Sequence, residues 1–347
     1  MKAALTFNSS KLIPKLFLVL MVSFFIFSLI RGNSLVKNSE NELNPKKQIE
    51  EAQAKKYSLK EIDAKTGQTR WELSAQEGST EGNLQAALIK NIKAEVYKDN
   101  KVIFNLHAPF GKANASTKEI YLYGGVIATN NDGDFLLMSN QIALGMGTSI
   151  EAQKGFDLIL KNSGTVVGEN VLINDDQTKF TIVRLKEASF KNINLSGEKV
   201  YLEKDKNGDL TQALILNGGK VILKDEDNDS LSASKIKWSK DGQIEANTNV
   251  VYISKDKVFK AGYILLKPDK KLYAKNNVLI THGKTTCYGN ALSYENNSLI
   301  TLTGSRPKAI QNDKQIIADK IIYNLDTDKV EATGNVRTSI KSITAKI

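Results

Sequence analysis

The chain has 347 residues, 41% of them hydrophobic, a formal net charge of +10 at pH 7 and one cysteine. That length holds one large or two medium domains, and a single cysteine excludes an intramolecular disulfide framework. Lysines spread over turns and polar strand faces read as a solvated surface, the alternative being attraction to an anionic partner such as phosphorylated lipid or a membrane surface. With no aromatic interleaving and no recognised binding motif, nucleic acid is not the expected partner.

At the amino terminus Lys2, Lys11 and Lys15 precede an uncharged, mostly apolar stretch from Leu16 to Ile30, closed by Arg31. No small-x-small cleavage site follows, and Leu12 and Ile13 lengthen the stretch while Lys15 snorkels to the interface. The expectation is an uncleaved signal anchor over residues 1–32, one transmembrane helix with its amino terminus inside. Residues 33–56 are polar and poor in β-branched side chains, with Pro45 placed to start a short helix. They read as a spacer.

From residue 57 onward a two-strand unit recurs about every 28 residues. Four copies open at Leu231, Phe259, Cys287 and Ile316. Each has Ala or Gly at its third position (Ala233, Ala261, Gly289, Ala318) and a branched aliphatic at its sixth. Its eighth position is large and apolar (Trp238, Leu266, Tyr294, Tyr323). Looser copies open at Leu106, Leu137, Val166 and Leu195. The second halves, such as Ile244-Ala246-Thr248-Val250-Tyr252 and Val330-Ala332-Gly334-Val336-Thr338-Ile340, alternate with period two, the mark of a strand. Turn residues punctuate both ends of each unit, as in Lys240-Asp241-Gly242 and His282-Gly283-Lys284. Two reversals per unit predict an all-β, antiparallel two-sheet β-jelly-roll, the small residues letting a strand bend or two sheets approach. A parallel β-helix is the rival architecture.

Catalytic constellations are lacking. His107, near a strand start, and His282, in a turn, lie in different units without companions for a triad or a zinc site. Acidic runs at Asp205–Asp209, Asp225–Asp229 and Asn130–Asp134 read as hairpin turns; the first lacks the twelfth-position Glu of a calcium loop. Trp71 and Trp238 fall on strand positions and read as core, and Cys287 as a small buried hydrophobe. No enzyme activity and no cofactor or metal is expected. What remains is a continuous apolar face, either a dry core or a groove for an acyl chain, and composition is the same for both.

The segment Tyr57–Asp63, Gly67 and Trp71-Glu72-Leu73-Ser74-Ala75 resembles the first hairpin of the LptC family, the anchored components of the lipopolysaccharide exporter. Leu122-Tyr123-Gly124-Gly125-Val126 with Gly133-Asp134-Phe135-Leu136, and Val166–Asn170, are similar to later strands of that family. The resemblance covers residues 1–185; Ala332-Thr333-Gly334-Asn335-Val336 is similar to the repeats of LptA and its OstA-like relatives. It implies an LptC-like β-jelly-roll over 57–190 and an LptA/OstA-like continuation over 191–347. The implied protein sits in the inner membrane with its β-domain in the periplasm. It would receive lipopolysaccharide from an ABC transporter and pass it along a hydrophobic groove towards an LptA-like bridge or outer-membrane receptor, joined by edge-strand addition. The groove candidates on the inward face are Leu73, Leu106, Leu122, Val126, Leu137, Ile142, Val171, Ile236, Ile264, Leu292 and Ile321. The other readings are a packed scaffold of the cell envelope that binds no lipid, and an adhesive or carbohydrate-binding β-helix.

Overall fold

The computed structural model describes residues 53–80, 86–114, 119–145, 147–161, 163–224, 227–295 and 298–340. The anchor expected at Leu16–Ile30, residues 33–52 of the spacer, and positions 225–226 and 296–297 of two expected turns lie outside the described residues. Twenty-two strands and no helix make up what is described, so no helix there is long and apolar enough to cross a membrane. The strand ladders are antiparallel, as in the pairings along Gln53–Thr80 and Ile244–Leu266, which removes the β-helix reading. The chain divides into two compact units, Met1–Asn131 with Met138–Glu151, and Asp132–Leu137 with Ala152–Ile347.

In the first unit β1 (Gln53–Ile62), β2 (Thr69–Thr80), β3 (Ala86–Lys98), β4 (Lys101–Asn114) and β5 (Glu119–Thr129) form a meander, each strand pairing with the next. His107 lies in the middle of β4 and not near its start. The β1–β2 turn is built on Asp63. Its carboxylate accepts the amides of Lys65 (2.7 Å) and Thr66 (3.0 Å) and pairs with Arg70 Nη2 at 2.6 Å. The backbone donors of Thr66 and Lys65, then Arg70, hold the Asp63 carboxyl down at about 2, below its ordinary 3.8.

Two further strands, β6 (Phe135–Leu144) and β7 (Ile150–Leu160), are divided between the units. The second unit continues with β8 (Gly164–Ile173), β9 (Lys179–Phe190), β10 (Ile193–Lys204), β11 (Leu210–Leu223) and β12 (Ser230–Ser239). After them come β13 (Ile244–Ser254), β14 (Lys257–Leu266), β15 (Leu272–His282) and β16 (Thr285–Tyr294). From β8 to β16 each strand again pairs with its successor, and the division expected near residue 190 falls between β9 and β10, which pair along most of their length.

Every strand of this meander is interrupted near its middle, and the interruptions line up. In β5, β7, β11, β13 and β15 two consecutive residues take left-handed φ: Gly124-Gly125, Lys154-Gly155, Asn217-Gly218, Thr248-Asn249 and Asn276-Asn277. The ladders shift register there, as between Asn247 and Val250 against Ala261–Tyr263. Such paired positive-φ residues form a bulge that bends the strand sharply, and Gly and Asn tolerate it best. The facing strands carry the small third residue of the repeat at the same level. At Gly197 a Cβ would meet Ile215 Cγ2 at 2.5 Å and the Gly218 carbonyl oxygen at 3.0 Å. The small residue is therefore a consequence of close approach at the bend.

The bend completes into a break at the carboxy end. Here β16 pairs through its second half with β17 (Leu299–Thr303) and through its first half with β18 (Lys308–Gln311), separated by Gly304-Ser305-Arg306 at left-handed φ. Likewise β19 (Lys314–Ile317) and β20 (Lys320–Asn324) are halves of one interrupted strand, as are β21 (Lys329–Thr333) and β22 (Arg337–Ile340). The uninterrupted strand expected over Val330–Ile340 is thus split at Gly334-Asn335, and Val336 and Ile340 are exposed instead of inward.

The bend folds each strand back on itself. A straight ten-residue strand would span ~33 Å. Yet Lys255, just before β14, and Lys270, just after it, both reach the carboxylate of Asp227, at 2.9 and 3.3 Å. In the second unit, then, the two halves of the strands face each other, joined at the bend and meeting again where the strand ends close.

Two outcomes are expected. Because the folded pKa of Asp63 is depressed, its stabilisation is complete above its ordinary value and is lost as pH falls through about 2. The gap in thermal midpoint between wild type and Asp63→Asn should therefore shrink between about pH 4 and pH 2. Gly197→Ala should lower the stability of the second unit by about 1–3 kcal/mol in urea denaturation, because β-branched Ile215 and a backbone carbonyl must yield to the added methyl.

Candidate lipid-binding interior

Folding the strands over encloses their apolar alternate residues. All of Leu73, Leu106, Leu122, Val126, Leu137, Ile142, Val171, Ile236, Ile264, Leu292 and Ile321 are buried, the most exposed being Leu292 at 4%. Of the two tryptophans, Trp71 is buried and Trp238 only half-buried, so the second is not a core residue.

The ladder joins several of these positions. In the second unit Val171 stands opposite Ile182, which faces Val200, which faces Ile215, which faces Ile236. The row continues through Ala246, Ile264, Ala274 and Leu292, and then through Leu302 and Ile321 to Ala332. Eleven strand-to-strand steps of ~4.8 Å give this apolar row a length of roughly 50 Å. From β12 to β16 it alternates large and small (Ile236, Ala246, Ile264, Ala274, Leu292), the pattern that lets facing layers interdigitate. In the first unit a shorter row runs Leu59, Leu73, Ala94, Leu106 and Ala128. Leu122 stands on the far side of the bend from it, opposite Gly111. Val126, Leu137 and Ile142 are buried as well, outside these two rows.

The interior is dry where the row runs. Ile236, Ile264 and Ile321 are fully buried. The arrangement can therefore bind an acyl chain only by parting its two faces, and the chemistry of the lining, aliphatic throughout, suits one.

Where the strand ends close, the lining becomes aromatic and then polar. Phe259 packs between Tyr252 and Tyr294 with tilted rings, centroids at 5.6 and 6.0 Å. The Tyr252 hydroxyl donates to Asp229 at 2.6 Å, and Asp229, nearly inaccessible itself, lies 3.9 Å from Lys270. Farther along, Tyr323 donates to Asp328 Oδ1 at 2.7 Å, which leaves Nδ1 of His282 as the donor in its 2.6 Å contact with the same phenol. Asp328 also accepts from Thr285 at 2.9 Å, and Nε2 of His282 meets Asp256 at 3.0 Å. The phenol of Tyr323, the Thr285 hydroxyl and Gln311 hold the Asp328 carboxyl below the usual carboxylate range, while burial pushes the Tyr323 phenol up. Burial, with Asp328 second, pushes the Cys287 thiol up to about 12, so it stays protonated and packs as a hydrophobe. His282, read from sequence as a turn residue, closes β15 and belongs to this cluster. Among the described residues no group of three or more His, Cys, Asp or Glu side chains is placed to hold a metal ion.

These polar residues escaped sequence reasoning, although a signal existed. Lys270 and Asp227 lie 43 positions apart, as do Asp328 and Thr285, about one and a half repeats. Partners on the same side, such as Lys255 and Asp227, are one repeat of 28 apart. In a folded-over meander a half-integer number of repeats marks partners from opposite ends.

Residues 16–142 match the family described as "LptC: Lipopolysaccharide-assembly, LptC-related". No curated protein matches the chain. Among solved structures, the chain is similar to the "Crystal structure of LptH, the LptA homologous periplasmic component of the conserved lipopolysaccharide transport device from Pseudomonas aeruginosa". That likeness has 17% identity, covers 34% of this chain and 97% of the other, and has a TM-score of 0.32.

Ile264→Ala should cost about 2–5 kcal/mol by chemical denaturation, since a fully buried side chain flanked in its row by Ala246 and Ala274 leaves a cavity. Leu172→Ala, on an outward position 46% exposed, should change stability by less than about 0.5 kcal/mol.

Proposed function

We propose that the protein is a membrane-anchored periplasmic component of lipopolysaccharide export. It takes the lipid from an inner-membrane ABC transporter and passes it along the folded-over interior towards the outer membrane. The observation that carries this reading is the unbroken apolar row from Val171 to Ile321, enclosed between two strand layers joined at a bend. The LptC-type match over residues 16–142 names the lipid class. In this reading each folded-over unit is a β-jelly-roll, and residues 191–347 supply the length that separate bridge repeats supply elsewhere. Leu16–Ile30 is the anchor. Transport energy comes from the transporter, so no catalytic residue, cofactor or metal is assigned.

The carboxy end fits docking by strand addition. Among the described residues β21 pairs only with β20 and β22 only with β19, and β22 is exposed throughout, Ile340 at 72%. Unpaired edge groups beside uncovered apolar side chains invite a further strand, and an LptA-like bridge or outer-membrane receptor is the partner proposed.

The dryness around Ile264 favours a second reading, a packed envelope scaffold that holds no lipid. Photocrosslinking decides between them. A small aliphatic diazirine side chain placed at Val171 or Ile264 should label lipopolysaccharide in membranes containing the working transporter. The same group at outward Leu172 should not. Equal or absent labelling at all three positions would leave the scaffold reading in possession.

A further inference from the structure

Resting on the lipid reading, we infer that the line where the strand ends meet is a releasable seam. Polar latches across it, and not the apolar interior, set whether the second unit admits an acyl chain. The two long borders of the folded-over sheet differ in kind. At the bend the halves are joined by covalent backbone on every strand, with paired left-handed residues fixing its position. At the opposite border no strand crosses. The contacts from one half to the other there are made by side chains, among them Lys270 to Asp227 and Asp229, Thr285 and Gln311 to Asp328, and His282 to Tyr323.

The latch strength suits reversible opening. Lys270 is 40% exposed and Asp227 20%, and ion pairs so placed are weak and screened by salt. Beneath lies the aromatic cluster of Tyr252, Phe259 and Tyr294, and then the aliphatic row. An amphipathic lipid entering here meets cationic Lys270 with its anionic head and aromatic faces with its chains. Asp227, when released by Lys270, keeps Lys255 as a counter-charge on its own side. Opening thus exchanges both carboxylate partners of Lys270 for an anionic headgroup, and Asp229 keeps the hydroxyl of Tyr252.

The same repeat supplies a matched control. Lys255 pairs with the same Asp227 but sits on its side of the seam, 28 residues away, and both lysines stand at left-handed φ (51° and 61°). Asp256 likewise contacts His282 from its own side. Lys270→Met with Thr285→Val cuts across the seam; Lys255→Met with Asp256→Asn removes similar bonds without crossing it.

The test uses the full-length protein in bilayer nanodiscs, with hydrogen exchange at the ends of β14, β15 and β16. It adds diazirine crosslinking from Ile264 to purified lipopolysaccharide. The cross-seam variant should exchange about two- to fivefold faster there, the size expected for lost part-exposed pairs, and should crosslink faster, while the control matches wild type. Equal acceleration in both variants, or in neither, would overturn the seam. Faster exchange in the cross-seam variant alone, with no lipid captured by any protein, would overturn the lipid reading and leave the releasable seam standing. If the buried Thr285→Val substitution impairs folding, Lys270→Met against Lys255→Met makes the same comparison.

Discussion

An antiparallel meander with one apolar face must cover that face, and the second unit does so by bending its strands across their middles. The bend depends on two consecutive left-handed residues in alternate strands. Left-handed backbone costs a non-glycine residue energy, which explains Gly and Asn at most of these places. Thr248, β-branched at φ 66°, holds the conformation only because the ladders on both sides of β13 impose it. The small third residue of the facing strands, the doubled apolar row and the meeting of strand ends all follow from that one backbone feature.

The bend also explains the odd spacing of the repeat. In β14 the buried side chains are Phe259, Ala261, Ile264 and Leu266, so alternation slips by one residue where the strand turns. In β13 the inserted pair Thr248-Asn249 is even, and Ile244, Ala246, Val250 and Tyr252 keep their parity. Strand existence, direction and inward face were therefore legible from residues alone: an even insertion leaves period two intact, and a small-then-branched step at positions three and six marks the other strands. The bend itself was hidden in the second halves for the same reason. An alternating run such as Val330–Ile340 reads as one strand whether or not Gly334-Asn335 breaks it.

The apolar interior was legible because burial follows parity, which sequence displays directly. The polar seam was not, because its partners come from opposite strand ends whose proximity exists only after the sheet folds over. Asp227 and Asp229 were read as part of a hairpin turn, and they are in one; their bonds to Lys270 add a tertiary role that turn chemistry does not announce. Trp238 shows the converse limit. It occupies the eighth position of the repeat, which is buried as Leu266 and Tyr294 in sibling strands, yet remains half-exposed.

The contrast between the two borders sets the direction in which such a unit can yield. Parting the faces at the bend would require breaking ladder hydrogen bonds on every strand, since the backbone runs continuously through it. Parting them at the strand ends breaks no backbone ladder, only contacts made by side chains, and water can replace the lost partner of exposed members such as Lys270 and Asp328. The aliphatic row beneath resists opening through the cost of wetting it, and that cost vanishes if an acyl chain follows the opening and takes the place of the opposing side chains. A dry, closed interior and a lipid path are therefore compatible in one structure: the interior stays closed for as long as nothing apolar is present to fill it.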